Sequence, residues 1–115
     1  MLFRNKHLSE IQQLAILASG QYERIMNLRT LNPNLKILLA IGGWTHGTAP
    51  FTAVVVDPNN IAAFAANTLE YLKTYKFDGL DLDWEYPGGN GSPPEDKQRF
   101  TSLVQVGTKV NMQSN

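Results

Sequence analysis

Two nearly continuous apolar runs, residues 35–43 and 77–84, flank a single long amphipathic segment, and that arrangement restricts the fold more than any other feature of the chain. The first run reads Leu-Lys-Ile-Leu-Leu-Ala-Ile-Gly-Gly and ends in the glycine pair Gly42-Gly43. Apolar residues that do not alternate with polar ones mark parallel strands covered on both faces. Between the runs, Asp57-Pro58 makes a helix start, with Asp57 placed to cap and Pro58 at the first helical position. Ile61, Phe64, Ala65, Thr68, Leu69 and Leu72 recur at helical spacing, which predicts a helix to about Tyr75 with these side chains buried. A last helix is expected from Pro93 or Pro94, carrying Phe100, Leu103, Val104 and Gly107. Strand, helix, strand, helix is the alternation of a parallel α/β protein. A doubly wound sheet and a (β/α)8 barrel share it, and periodicity alone does not separate them.

The remaining segments are read more coarsely. Residues 9–18 suggest a short amphipathic helix with Gly20 as its stop, and residues 22–31 a second helix broken by Asn32-Pro33-Asn34. Residues 44–56 read as a mixed loop or short helical turn, and residues 87–94 as a loop rich in Gly and Pro. At 115 residues the chain can form one small domain and not two. Ten basic and ten acidic side chains give zero net charge, so nothing favours nucleic acid or an anionic membrane face as partner. Without cysteine there is no disulfide and no Cys-based zinc site. No apolar run reaches the roughly 18 residues that cross a bilayer. The stretch Met1 to His7 lacks the apolar core and cleavage site of a signal peptide.

Chemistry concentrates in Asp78-Gly79-Leu80-Asp81-Leu82-Asp83-Trp84-Glu85. Side chains alternate along a strand, so Asp81, Asp83 and Glu85 share one face while Leu80, Leu82 and Trp84 share the other. Asp78 falls out of phase with the three acids. Aspartate suits strands poorly, and several like charges together need a reason. One account is a solvated acidic face on an edge strand, but the opposite Leu-Leu-Trp face argues for burial. A second is a site for magnesium or calcium. That needs convergence, whereas the three positions spread over about 13 Å. The third is a proton-handling ladder, in which neighbouring acids compete for protons and one serves as general acid. Glu85 stands last, at the C-terminal end of the strand, where parallel α/β folds place their chemistry.

This segment resembles the Asp-x-x-Asp-x-Asp-x-Glu motif of family-18 glycoside hydrolases, the chitinases and chitinase-like lectins. Leu38-Leu39-Ala40-Ile41-Gly42-Gly43-Trp44 is similar to the other characteristic strand end of that family. Tyr86-Pro87-Gly88 followed by Gly91-Ser92-Pro93 resembles animal chitinases in particular. The resemblance implies that Glu85 protonates the glycosidic oxygen and that Asp83 orients the N-acetyl group whose carbonyl oxygen is the nucleophile. Asp81 would share a proton with Asp83. Trp44, Tyr86 and Gly43 would contact substrate. The implied partner is chitin or chito-oligosaccharides bound by a monomer, with no cofactor and no metal, in a secreted, extracellular parent protein.

Other features have plainer readings. Gly42-Gly43 lacks the following Gly-Lys-Ser/Thr of a phosphate loop, so close backbone approach explains it better. His7 and His46 have no ligand partners at useful spacing. Phe64, Tyr71 and Tyr75 are expected to pack, and Trp84 to lie in the core beneath the helices.

The family fold is a (β/α)8 TIM barrel of about 250 residues. This chain supplies about two βα units with preceding helices. The expectation is therefore an α/β fragment: residues 1–115 as a partial, N-terminal-half catalytic domain, with clear resemblance over about residues 22–106. The isolated chain is expected to be inactive, because an open two-strand sheet leaves edges and apolar faces uncovered. The alternatives are a chitin-binding, lectin-like protein, which typically lacks the acid, or an inactive truncated isoform.

Overall fold

The computed structural model describes residues 20–113, with side chains through residue 110. The helix expected over residues 9–18 lies outside the described residues. The chain divides into two compact units, Met1–Ile37 and Leu38–Asn115. In the first unit, residues 20–26 are helical and run into a 3-10 turn at Asn27–Thr30. Gly20 is thus part of a helix rather than its stop, since glycine weakens a helix by only about 1 kcal/mol and does not forbid it. Asn32 ends the segment: its side chain accepts from the Asn34 amide at 3.2 Å and its carbonyl from the Leu35 amide at 3.0 Å.

The second unit holds two parallel strands, β1 (Leu38–Gly42) and β2 (Gly79–Asp83). Helices α1 (Ala49–Val55) and α2 (Pro58–Thr74) connect them, and α3 (Asp96–Gln113) follows the second strand. The strands pair from Leu38 opposite Gly79 to Gly42 opposite Asp83. The first strand starts later than the apolar run suggested, because residues 32–35 are held in a turn. Strand, crossover helix, parallel strand and helix make up a segment of a (β/α) barrel.

The crossover helix forms for local reasons. Asp57 caps it, its carboxylate accepting from the Asn59 amide at 2.8 Å, and Pro58 opens the first turn. Ile61, Ala65 and Leu72 are buried, and Phe64, Thr68 and Leu69 half-buried, the stripe that the spacing predicts. At its end Lys76 adopts φ +64°. The Phe77 amide then donates to Leu72 O at 2.9 Å and the Lys76 amide to Lys73 O at 3.2 Å, a Schellman closure made without glycine.

Phe51, Val55, Ile61, Trp84 and Leu103 form the core cluster, with Ile41, Leu82, Phe64 and Phe100 packed against it. Trp84 stacks on Phe51 at 5.1 Å between ring centroids and meets Phe100 edge-on at 5.7 Å, so it is the core residue that strand parity predicts. The helices cover the sheet face bearing Ile41 and Leu82. The other face is different. Ala40 opposes Asp81 in register, and Leu38, Ala40, Asp81 and Asp83 are all exposed. The expectation of strands covered on both faces is corrected here: among the described residues nothing packs on the face that a closed barrel turns inward. No helix among the described residues is long and apolar enough to cross a membrane.

Candidate active site

The second strand delivers its acids as parity requires. Asp81 and Asp83 stand on the open face and Glu85 follows two residues beyond the strand, half-buried. Among the described residues no side chain donates a hydrogen bond to any of these three carboxyl groups, which leaves their oxygens available to a ligand. Asp81 and Asp83 are both exposed.

The glycine pair brings the first strand onto the second. Gly42 and Gly43 adopt φ +118° and +91°, and the Gly43 amide donates to Asp83 O at 2.8 Å, one bond past the end of the ladder. A Cβ at Gly43 would lie 3.8 Å from Asp83 Oδ2, so the Asp83 carboxylate stands beside bare backbone. Both residues occupy conformations that L side chains rarely adopt, which is why glycine fills them. Trp44 then begins a 3-10 turn, Trp44–His46, and is 62% exposed. Tyr86, on the opposite rim, is 55% exposed. Each sequence-predicted site residue therefore lies at the C-terminal end of one of the two strands or on the open face beneath.

A hollow of about 600 Å³ lies elsewhere, between α2, β2 and α3, lined by Phe64, Leu69, Leu80, Leu82 and Val104. It occupies the face opposite Asp81 and Asp83, and its lining is mainly apolar, with Lys73 and Asp78 among the residues around it. Among the described residues no three His, Asp or Glu side chains are grouped to hold a metal ion.

Sequence reasoning missed a second set of polar residues around the loop that follows Glu85. Asp96, fully buried at 0% exposure, accepts from Thr52 Oγ1 at 2.6 Å, from Ser92 Oγ at 2.7 Å and from Arg99 at 3.0 Å. Burial pushes its carboxyl up, but the hydrogen bonds from Thr52, Ser92 and Arg99, with the charge of Arg99, outweigh that and hold it below the usual value. Ser92 Oγ also accepts from the Gly88 amide at 3.0 Å. Asn90, at φ +52°, donates from Nδ2 to the Glu85 carbonyl at 3.2 Å, and its own carbonyl accepts from Thr48 Oγ1 at 3.4 Å. The one sequence signal was the acid at the start of a helix with Arg99 three residues on. The partners in α1 lie about forty residues away and leave no local trace.

A parallel βα segment with a row of acids on and just beyond its second strand is the arrangement that the comparisons with known proteins place in a family. The family model for glycosyl hydrolases family 18 matches residues 2–112, and the chain belongs to that family. Chitotriosidase-1 of Mus musculus is 55% identical over 84 residues, which is 73% of this chain and 18% of that protein. The crystal structure of the Ostrinia furnacalis Group IV chitinase superposes with a TM-score of 0.77 at 32% identity, over 89% of this chain and 28% of that one. The same enzyme in complex with allosamidin gives 0.75 at 33% identity, over 85% and 26%. The chain thus spans less than a fifth of the length of the mouse protein it matches.

Proposed function

We propose that this chain carries the catalytic strand of a chitinase, which hydrolyses the β-1,4 linkages of N-acetylglucosamine polymers with retention of configuration. The observation that carries the reading is the placing of Asp83 beside the bare backbone of Gly43, with half-buried Glu85 two residues further along. Glu85 gives its proton to the glycosidic oxygen as the bond to C1 breaks. The N-acetyl carbonyl oxygen of the same sugar attacks C1 and closes an oxazolinium ion, while the Asp83 carboxylate holds the N–H that gains positive character. Water then adds to C1, returning its proton to Glu85, and the ring opens. The substrate supplies the nucleophile, so no second carboxylate is needed across the cleft, unlike the usual retaining scheme. Asp81 modulates Asp83 from two residues back on the same face, and Trp44 and Tyr86 offer rings to the sugars. The similar structure that holds allosamidin supports a chito-oligosaccharide ligand. A polymeric substrate also fits an extracellular location.

For the 115 residues alone, the exposure of Asp81 and Asp83 favours an inactive chain, since general acid catalysis works best in a site that excludes water. The test uses the chain itself and a fusion in which the 84 residues of this chain that match mouse chitotriosidase replace their counterpart in that protein. With a fluorogenic chitobioside the fusion is expected to turn over, the chain is not, and Glu85→Gln in the fusion is expected to abolish turnover. A fusion indifferent to Glu85→Gln refutes the assignment of the acid.

A further inference from the structure

The loop carrying Glu85 and Tyr86 has no regular structure of its own, yet its course is fixed by polar contacts that converge on one buried carboxylate. We propose that Asp96 is a positioning residue for the candidate acid Glu85, tying residues 85–92 to helix α1. This rests on the chitinase reading of the site.

The connection is continuous. From Asp96 Oδ2 it runs to Ser92 Oγ at 2.7 Å and on to the Gly88 amide at 3.0 Å. The Gly89 amide reaches back to Tyr86 O at 3.0 Å, and the Ser92 amide to Gly89 O at 3.0 Å, so two successive turns hang from the same serine. Gly88 and Gly91 take φ +77° and +87°, which lets the turns follow one another in so few residues. Asn90 closes the loop on the Glu85 carbonyl, and Thr48 braces Asn90 from the start of α1. The same Asp96 oxygen also accepts from Thr52, in the middle of α1, at 2.6 Å. One carboxylate therefore fixes the distance between a helix and the loop that follows the acid.

Two observations make this more than a helix cap. A carboxylate with no solvent exposure is costly unless every oxygen is engaged, and here Oδ1 takes Arg99 while Oδ2 takes two hydroxyls. The second is where the partners lie: Thr52 and Ser92 are both outside α3, so neither bond serves the helix that Asp96 begins.

The test is made on the full 115-residue chain, labelled with ¹⁵N. Ser92→Ala cuts the link at the loop and leaves Asp96 its other partners; Asp96→Ala removes the hub. Asp57→Ala, which removes the cap of α2 and none of the bonds of the Asp96 cluster, is the control for lost stability. The amide signals of Glu85 and Tyr86 and the binding of the N-acetylglucosamine tetramer are read together. Both loop variants are expected to move the Glu85 and Tyr86 amides and to weaken tetramer binding about tenfold, the effect of losing one charge-assisted hydrogen bond. The control is expected to leave both readings in place. Glu85 and Tyr86 amides unmoved in Ser92→Ala and Asp96→Ala, or wild-type loop amides exchanging as in an unfolded chain, overturn the proposal. If wild type binds no tetramer while those amides still move, Asp96 keeps its role and the chitin reading falls.

Discussion

Gly42 faces Asp83 across the parallel ladder with no room between them for a side chain. A Cβ on Gly42 would collide with the carbonyl oxygen of Asp83, and it would also come within 3.1 Å of the Phe51 ring. The φ of +118° adds conformational strain for any other residue. The acid strand and the glycine pair are thus one unit: the neighbouring backbone lies flat against the strand that carries the acids.

Gly42→Ala is accordingly expected to cost about 3 kcal/mol or more, combining a forbidden conformation with displacement of the strand. Denaturant unfolding followed by far-UV circular dichroism measures it. A loss of less than about 1 kcal/mol, the ordinary value for a point change, shows that the strands can separate without penalty.

The core makes a sharper demand. Phe51 is buried against Trp84 with ring planes 15° apart, and truncation of such a residue costs about 3–5 kcal/mol. Phe51→Ala should remove most of the stability of a marginal unit. Acrylamide quenching reads this directly, since Trp84 is 5% exposed and Trp44 62%. The protected fraction of tryptophan emission should vanish.

How much was legible in the sequence depended on how local each cause is. Asp57 and Pro58 begin the crossover helix where they were expected to, and the six-residue stripe is buried or half-buried along its length as its spacing requires. Strand parity separated Trp84 from the acids. Helix α1 falls in the stretch expected to be a mixed loop or short helical turn; Ala-Pro-Phe-Thr-Ala-Val-Val holds three β-branched residues, and packing of Phe51 and Val55 supports its helix. The Asp96 cluster joins α1, a loop and α3, so no window of adjacent residues contains it.

Asp96 also sets a pH dependence. Its carboxyl sits below the usual value in the folded chain despite burial, so folding favours the ionised form. Stability from this group is complete above the unfolded value of about 4 and is lost as pH falls through that value towards the folded one. Wild type should therefore lose more stability than Asp96→Asn between pH 6 and pH 3, compared by urea midpoints. Equal losses would remove Asp96 as the source.

Lys76 offers a gain. It closes α2 at φ +64°, a conformation costing an L residue about 1 kcal/mol or more, and its side chain is exposed. Lys76→Gly should raise stability by about 1 kcal/mol with the Phe77–Leu72 bond retained. No gain in the urea midpoint would mean that the lysine side chain offsets its own strain.

Trp44 separates binding from folding. A ring that is 62% exposed contributes little to the core, so Trp44→Ala should leave the urea midpoint within about 0.5 kcal/mol of wild type. Its backbone is held in place, because the 3-10 turn it begins is closed by the Gly47 amide donating to Trp44 O at 3.3 Å. An exposed aromatic directly after Gly43 is suited to stack on a sugar face, an interaction worth about 1 kcal/mol. Calorimetric titration with the N-acetylglucosamine tetramer should therefore show affinity about fivefold weaker in Trp44→Ala. Unchanged affinity would take Trp44 out of the cleft, while a large loss of stability would place it in the fold instead.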